Sequence, residues 1–447
     1  MRPYRMLVSE AGNRGRGGLE REAKELFTSG GRPTLVFAGG GHSQLYSLRR
    51  TRELTEGGFD VVLVNPSRFL YYSGMAPGLL SRIYHPEEAR IDVKRLVEKG
   101  GGHFVEDWIK EIRPKSGEVL LESAGQIRYD AMSVALGSGV PDKNLAPGVD
   151  HVVPVKPVEN MVSLRGKLRE LEAGPDREPK VLIVGGGPAG CEVACNTKKL
   201  FEEHGIDGRI TIADAGDALL GSAPERAQRE IEKFLRSKEV EVLLGSGVAS
   251  IQQGAGHTCD GLSIDFDMAV LAVRTKPPGI FRESGLATGG DDGLWVNRYL
   301  QSISDPRIFG GGDSVSFRGE SLTRLGVFAI RQGPVLFHNL KAYLGARPLK
   351  EFKPQKAFLY VLNLGDGTGL AIYGPLVWRS RLAWRLKRYI DVKFVKEYQC
   401  PESEPECEGV PRVVSGGNQV DGESAATAVQ DEAHRDRSAL LRYPPRL

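Results

Sequence analysis

Short apolar runs that break off into glycine clusters set the plan of this chain. The run Thr34–Ala38 is β-branched and apolar, long enough for one buried strand and too short for a helix. Gly39, Gly40 and Gly41 follow, then a helical pattern from His42 to about Arg52. A second strand pattern, Phe59–Val64, ends at Asn65-Pro66. Strand, glycine turn, helix and strand in that order predict a βαβ unit with its turn at the carboxyl end of the first strand. The order recurs. Lys180–Val184 is a strand, Gly185-Gly186-Gly187-Pro188 the turn, Ala189–Glu203 a helix stopped near Gly205, and Arg209–Ala213 a strand ending at Asp214. Pro188 suits a first helical turn, where its missing N–H costs nothing. Two such starts, about 145 residues apart, predict two nucleotide sites and not a solenoid.

Between them, Pro147 to Pro179 holds a helical linker, Glu159–Leu171, bounded by prolines. Past Pro348 the pattern predicts strands at Phe358–Asn363 and Gly369–Tyr373, then a basic amphipathic stretch, Trp378–Lys396. Beyond Cys400 the chain is rich in Pro, Glu, Ser, Gly and Asp. It has too few large apolar residues to offset ordering entropy and is expected to be disordered. The expected fold is α/β: a Rossmann-like FAD domain interrupted by a Rossmann-like NAD domain, plus a small C-terminal region. In order, the segments are a mobile leader (1–32), the first half of the FAD-binding domain (33–150) and the NAD-binding domain (151–277). The second half of the FAD-binding domain (278–349), the C-terminal region (350–398) and a tail (399–447) complete the chain.

Composition narrows the function classes. A length of 447 residues suggests two or three domains, and 40% hydrophobic with 26% charged residues is ordinary for a globular protein. A formal net charge of +3 asks for no nucleic-acid partner. Five cysteines (Cys191, Cys195, Cys259, Cys400, Cys407) make no disulfide framework in a chain this long, so a reducing, cytoplasmic setting is expected. No apolar run approaches a membrane span, and Met1–Arg32 lacks the apolar core of a secretory signal.

The turn GGGPAG at 185–190 matches G-x-G-x-x-G in full, after a strand and opening a helix. Gly185 permits the tight turn, Gly187 lets a pyrophosphate approach the backbone, and Gly190 lets the helix pack against the sheet. Asp214 can accept both ribose hydroxyls of an adenosine and would repel a 2′-phosphate, so NADH is expected over NADPH. A structural turn with a surface Asp is the bland alternative. The first turn, AGGGHSQ at 38–44, supplies Gly39 and Gly41 but has Gln44 at the third glycine position and Asn65 in place of an acid. Asn65 can still bond a ribose hydroxyl, with less charge assistance. His42, at the expected helix start, reads as a capping or pyrophosphate-side residue. No metal-ligand pattern stands out.

The segment IFGGGDSVSF at 308–317 looks like the second FAD motif of two-dinucleotide flavoproteins. That likeness implies that Asp313, after Gly312, accepts a ribityl hydroxyl of the flavin. YDAMSVALGSGVP (129–141, with Gly137) would then cross to the NAD domain, and DMAVLAVRTKP (267–277) would cross back.

With these pieces in order, roughly Pro33 to Tyr398 resembles the FAD-dependent pyridine nucleotide-disulfide oxidoreductases. The chain is most similar to the flavoprotein module fused to selenide, water dikinase, and more broadly to type II NADH:quinone dehydrogenases. GGGHSQ, YYSGMAPGLL (71–80), VKPVEN (155–160), GVFAIRQGPVLFHNL (326–340) and RLAWRLKRYIDVKF (381–394) carry the likeness. Arg274 stands where the resemblance places glycine.

The resemblance implies that Glu192 lies near nicotinamide and flavin as a proton or charge-balancing group. A helix-start acid favoured by the dipole is the other reading. It makes Arg331 and Gln332 candidates to meet the flavin or the acceptor, and Met75 and Tyr72 candidates to line the flavin face or to be plain core. The family's CxxxxC pair is absent, and segments 71–80, 150–160 and 326–340 hold no cysteine. Cys191 and Cys195, four apart on one helical face, read as buried small hydrophobes.

The expected enzyme is therefore an FAD-dependent NADH dehydrogenase that passes electrons from flavin directly to an acceptor, foremost a quinone. A flavoprotein of selenium or sulfur metabolism, and a slow redox sensor, are the alternatives. The stretch 378–396 carries seven basic residues and one acid. It suits either the inner face of an anionic membrane or docking on its own domain or on a second copy in a homodimer.

Overall fold

The computed structural model describes residues 31–140, 145–146, 149–171, 178–319, 322, 324–355 and 357–399. All but Gly31, Arg32 and Gln399 of the expected leader and tail lie outside them. The apolar runs around the first glycine cluster build one five-stranded parallel sheet. Its order is Ile308–Gly310, Ala131–Val134, Thr34–Ala38, Asp60–Asn65, His103–Glu106. Leu35, Val36, Phe37 and Ala38 are fully buried, as a parallel strand covered on both faces must be. The second cluster builds a sheet of the same order: Val152–Pro154, Met268–Leu271, Lys180–Val184, Arg209–Ala213, Val240–Leu243. In each, the chain leaves the central strand to one side and later returns to the other. That reversal opens a crevice at the carboxyl end of the central strand, which is where such sheets take ligands.

Each sheet also carries a three-stranded antiparallel meander, Ile109–Arg113 to Gln126–Arg128 in the first and Val248–Gln252 to Ser263–Asp265 in the second. The two crossovers then meet: Gly139 and Lys276 exchange N–H···O bonds of 2.8 Å each. Ser138 and Thr275 hydroxyls join beside them at 3.0 Å.

Several elements differ from the sequence expectation. The helix expected from His42 is two short pieces, Leu45–Leu48 and Thr51–Thr55. Between them Thr51 Oγ1 donates to Leu48 O at 2.8 Å, a side-chain bond that competes with the helical ladder. The second helix runs Pro188–His204 and ends on Gly205 at φ +66°. The linker helix is Asn160–Glu170.

The stretch expected to be one amphipathic element from Trp378 is divided. Trp378 lies in the strand Leu376–Ser380, which pairs with Gly369–Tyr373, itself beside Leu359–Asn363. The helix starts only at Arg381 and runs to Tyr398, because Ser380 Oγ caps it by accepting the Ala383 N–H at 3.0 Å.

The candidate flavin and dinucleotide sites

The two glycine turns are built alike. A Cβ placed on Gly39 would lie 2.6 Å from Ala135 O, and one on Gly185 would lie 2.6 Å from Ala272 O. With φ at +87° and +109°, neither position accepts a side chain. The residue ending each second strand grips the middle glycine: Asn65 Oδ1 accepts the Gly40 N–H at 2.7 Å, and Asp214 Oδ2 accepts the Gly186 N–H at 2.5 Å. The third glycine position separates them. A Cβ on Gly190 would fall 1.9 Å from Gly185 O, so that helix starts hard against its turn. In the first module Gln44 fills this position, fully buried, and its Nε2 donates to Ser133 O at 2.6 Å. Gln44 thus ties turn to sheet and delays the helix to Leu45.

At the second turn the helix N-terminus is open. Nothing lies within 4 Å of a Cβ built on Gly187, and a cavity of about 440 Å³ adjoins it, lined by Gly186, Gly187, Asp214, Asp217, Ala218 and Gln228 among others. Asp214 Oδ1 also accepts the Gly216 N–H at 2.7 Å. Two carboxylates and no cation line this cavity among the described residues, a setting for neutral ribose hydroxyls and hostile to a 2′-phosphate. Arg274, past the return strand, is exposed, and the crossover closes normally two residues later at Lys276.

The first turn faces Asp313 across the crossovers. Gln332, buried, accepts the Gly312 N–H on Oε1 at 2.6 Å, so its oxygen holds the Asp313 turn. Gly137, at φ +74°, accepts the Ser314 hydroxyl on its carbonyl at 3.3 Å. Asp313 Oδ2 accepts from Ser138 Oγ at 2.8 Å and from Lys156 Nζ, which also reaches Ser138 Oγ at 3.2 Å. Burial works against the charge on Asp313, but Lys156 and Ser138 hold its carboxyl below the ordinary value.

His42 caps no helix. Its Nε2 is buried without a partner among the described residues, and burial lowers the ring to a pKa of about 4, so it is neutral. Its ring lies 5.5 Å from that of Tyr72, which packs 4.7 Å from Phe394. Met75 is fully buried core and Arg331 is half-buried. A glycine cradle without room for a Cβ, an orphaned buried imidazole nitrogen and a facing ionised carboxylate fit the pyrophosphate and ribityl chain of FAD.

A second polar cluster, with Glu192 half-buried and Lys387 and Asp391 buried, lies where the C-terminal region meets the helix Pro188–His204. Glu192 Oε1 accepts the Asn363 N–H at 2.7 Å. Burial raises its carboxyl to about 7, against the opposing pull of Lys387 and this N–H. Lys387 and Asp391 pair at 2.9 Å, and Lys387 also donates to Gly74 O at 2.8 Å. Burial disfavours the Lys387 charge, but Asp391 and Glu192 more than restore it. The Tyr72 hydroxyl also hydrogen-bonds Asp391. From sequence, the basic stretch 378–396 suited a membrane face or docking on its own domain or a second copy, and neither Lys387 nor Asp391 stood out. The available signal was the four-residue spacing Ala383, Lys387, Asp391, Val395, which forms the docked face.

Cys191 and Cys195 are buried, and burial pushes both thiols up, which leaves them unreactive.

Two parallel sheets of like topology, two glycine turns and an Asp-bearing third motif define a two-dinucleotide flavoprotein reductase. The chain matches the pyridine nucleotide-disulphide oxidoreductase family over residues 33–333 and belongs to it. FAD and NAD(H) are its cofactors. It is similar to the alternative NAD(P)H-ubiquinone oxidoreductase C1 of Arabidopsis thaliana, 28% identical over 392 residues, 77% of this chain and 73% of that one. It is 25% identical to the demethylphylloquinone reductase NdbB of Synechocystis over 382 residues, 80% of this chain and 92% of that one. In fold it resembles NDH2 from Plasmodium falciparum, solved with NADH (TM-score 0.69, 14% identity, covering 83% and 99%). It also resembles the sulfide:quinone oxidoreductase of Aquifex aeolicus (TM-score 0.70, 16% identity, 82% and 92%).

Proposed function

We propose that this protein is an FAD-dependent NADH dehydrogenase that delivers electrons from flavin directly to a quinone. The carrying observation is a cofactor cradle whose flanking segments hold no cysteine, joined to a half-buried Glu192 whose carboxyl is raised to about 7. The sequence likeness to quinone reductases spans most of both chains and supports the same acceptor. Bound FAD supplies the hydride and electron chemistry. The chain's own residues do the rest. The Pro188 helix start and Gly187 take the NADH pyrophosphate, and Asp214 takes the adenosine ribose. Asp313 takes the ribityl chain, and Gln332 and Gln44 keep the two flavin turns in place. Neutral His42 places no charge beside the pyrophosphate. Quinone reduction consumes protons, and Glu192, half-protonated near neutrality beside Lys387, is the group that holds one. Arg331 is the candidate to meet the acceptor.

We further propose that the outer face of the helix Arg381–Tyr398 rests on an anionic membrane. One face of this helix is docked on its own protein. The other exposes Leu382, Leu386 and Tyr389 among Arg381, Arg385 and Arg388. No helix among the described residues is long and apolar enough to cross a membrane.

The test is anaerobic reduction by NADH followed by a panel of quinones, ferredoxin, selenite and polysulfide. Fast reoxidation by quinones alone is the expected result. Fast reoxidation by selenite or polysulfide would move the protein to selenium or sulfur chemistry, and slow reoxidation by all would make it a sensor.

A further inference from the structure

Lys156 belongs to neither glycine turn, yet it sits inside the flavin site. It follows the strand Val152–Pro154 of the NAD-module sheet, held there by the Val155 N–H to Leu271 O at 3.0 Å. From that sheet its side chain crosses to the flavin module and ends on Asp313 Oδ2 and Ser138 Oγ. Both partners of the ion pair are largely shielded, with side-chain exposures of 27% and 15%. Among the described residues, every hydrogen bond to the Asp313 carboxylate falls on Oδ2. Oδ1 is thus left for a ribityl hydroxyl, and the cofactor has no need to displace Lys156. An ammonium has three N–H donors, and two are engaged. The other charges nearby do not substitute for it: His42 is neutral, and Arg324 is spent on Asp313 O, Thr275 O and Asp291.

We propose that Lys156 is a positioning residue for the flavin, presented by the NAD module. It orients the Asp313 carboxylate for the ribityl chain and keeps a positive charge on the ribityl side of the flavin site. Reduction would add negative charge to the bound flavin, and a shielded cation in the same site would stabilise it more than water would. The proposal rests on the flavin reading of Asp313. It explains why a lysine, and not a neutral residue, closes the NAD-module edge strand: the charge ties the cofactor's affinity and potential to the module that binds NADH.

The experiment uses the full chain, stripped of FAD and titrated with it by fluorescence, with the midpoint potential of the reloaded protein measured against a reference dye. Lys156→Gln is expected to weaken FAD binding about tenfold or more and to lower the potential. Lys156→Arg, which keeps the charge, should hold both close to the starting protein. In an Asp313→Asn background, Lys156→Gln should add less than twofold to the loss, because the two residues act as one unit. Unchanged affinity and potential in a folded Lys156→Gln protein would overturn the proposal. So would a Lys156→Arg protein as impaired as Lys156→Gln, or fully additive losses in the double variant. If Lys156→Gln does not fold, the Lys156→Arg comparison decides alone, with retention of both properties supporting the role and loss of either ending it. A starting protein that takes up no FAD would instead sink the flavin reading itself.

Discussion

The Glu192 carboxylate accepts the backbone N–H of Asn363 at 2.7 Å, joining a helix of the NAD module to a strand of the C-terminal sheet. This bond puts an acid from the dinucleotide half under the lid of the C-terminal region, with Lys387 and Asp391 on the lid's inner face. Its consequences can be measured.

With the folded carboxyl raised to about 7, Glu192 carries a proton over a range in which an unfolded glutamate has lost it. The folded state binds more protons between about pH 4.5 and 7, so the stability that Glu192 contributes is full at low pH and falls as pH rises through that window. The difference is about 3 kcal/mol at most. Glu192→Gln should therefore raise the melting temperature at pH 8 and leave it nearly unchanged at pH 5. In quinone-dependent turnover, the starting protein should lose rate above about pH 7. The Gln variant should be slow and flat across that range, and a variant that kept the inflection would clear Glu192 of the proton role.

Asn196 anchors the same junction. Its Oδ1 accepts from Ser81 Oγ at 2.6 Å and Asn363 Nδ2 at 3.0 Å, and its Nδ2 reaches Glu192 O at 2.7 Å. Asn196→Ala leaves buried donors unpaired and should cost about 2–4 kcal/mol in chemical unfolding. A loss under 1 kcal/mol would mean that water replaces the amide.

Dinucleotide choice should follow Asp214. Its two oxygens hold the Gly186 and Gly216 amides beside the cavity proposed for adenosine, so Asp214→Ala should raise the KM for NADH about tenfold with little change in kcat. The NADPH-to-NADH ratio of kcat/KM should rise by about 10–100-fold. Steady-state kinetics with both nucleotides decides it, and an unchanged ratio would show that some other group rejects the 2′-phosphate.

Gly190→Ala should separate the two cofactors. The added methyl would lie 1.9 Å from Gly185 O, an overlap that must push the helix off its turn. FAD content should persist while NADH binding, followed by calorimetry, is lost. Loss of FAD as well would show that the two modules fold as one.

The membrane contact can be tested on Leu382 and Tyr389, exposed to 73% and 63%. Changing both to Ser should leave turnover with a water-soluble quinone intact and weaken sedimentation with anionic vesicles at low salt by about tenfold. Starting protein that ignores such vesicles would remove the membrane from the proposal.

Much of the fold was legible from pattern. The strands at 34–38, 180–184 and 209–213 appear with the bounds expected, because a buried parallel strand is a short apolar run with a clear stop, glycine after the first two and Asp214 after the third. The glycine turns were legible for the same local reason, since only glycine tolerates those angles and that approach. The helix after the first turn was less so. Gln44 looked like a missing glycine, and only the structure shows it turned inward to Ser133, holding the helix start back to Leu45, while Thr51 bonds back to Leu48 where the helix divides. With the helix starting only at Leu45, His42 lies too early to cap it. Gln332 read as a residue to meet flavin or acceptor, and its oxygen is instead bound to Gly312.

What this chain's residues determined on their own is local and repetitive: where strands stop, where backbone must come close to phosphate, and that redox cysteines are absent from the flavin-flanking segments. What tertiary structure alone decided is which distant charges meet. Lys156 and Asp313 lie 157 positions apart, and Glu192 and Asn363 lie 171 apart. Lys387 and Asp391 look like ordinary members of a basic helix until the helix is docked. Periodicity reports which face of an element is buried. It cannot report what that face is buried against, and the charge, protonation and pairing of each of these groups depend on that neighbour.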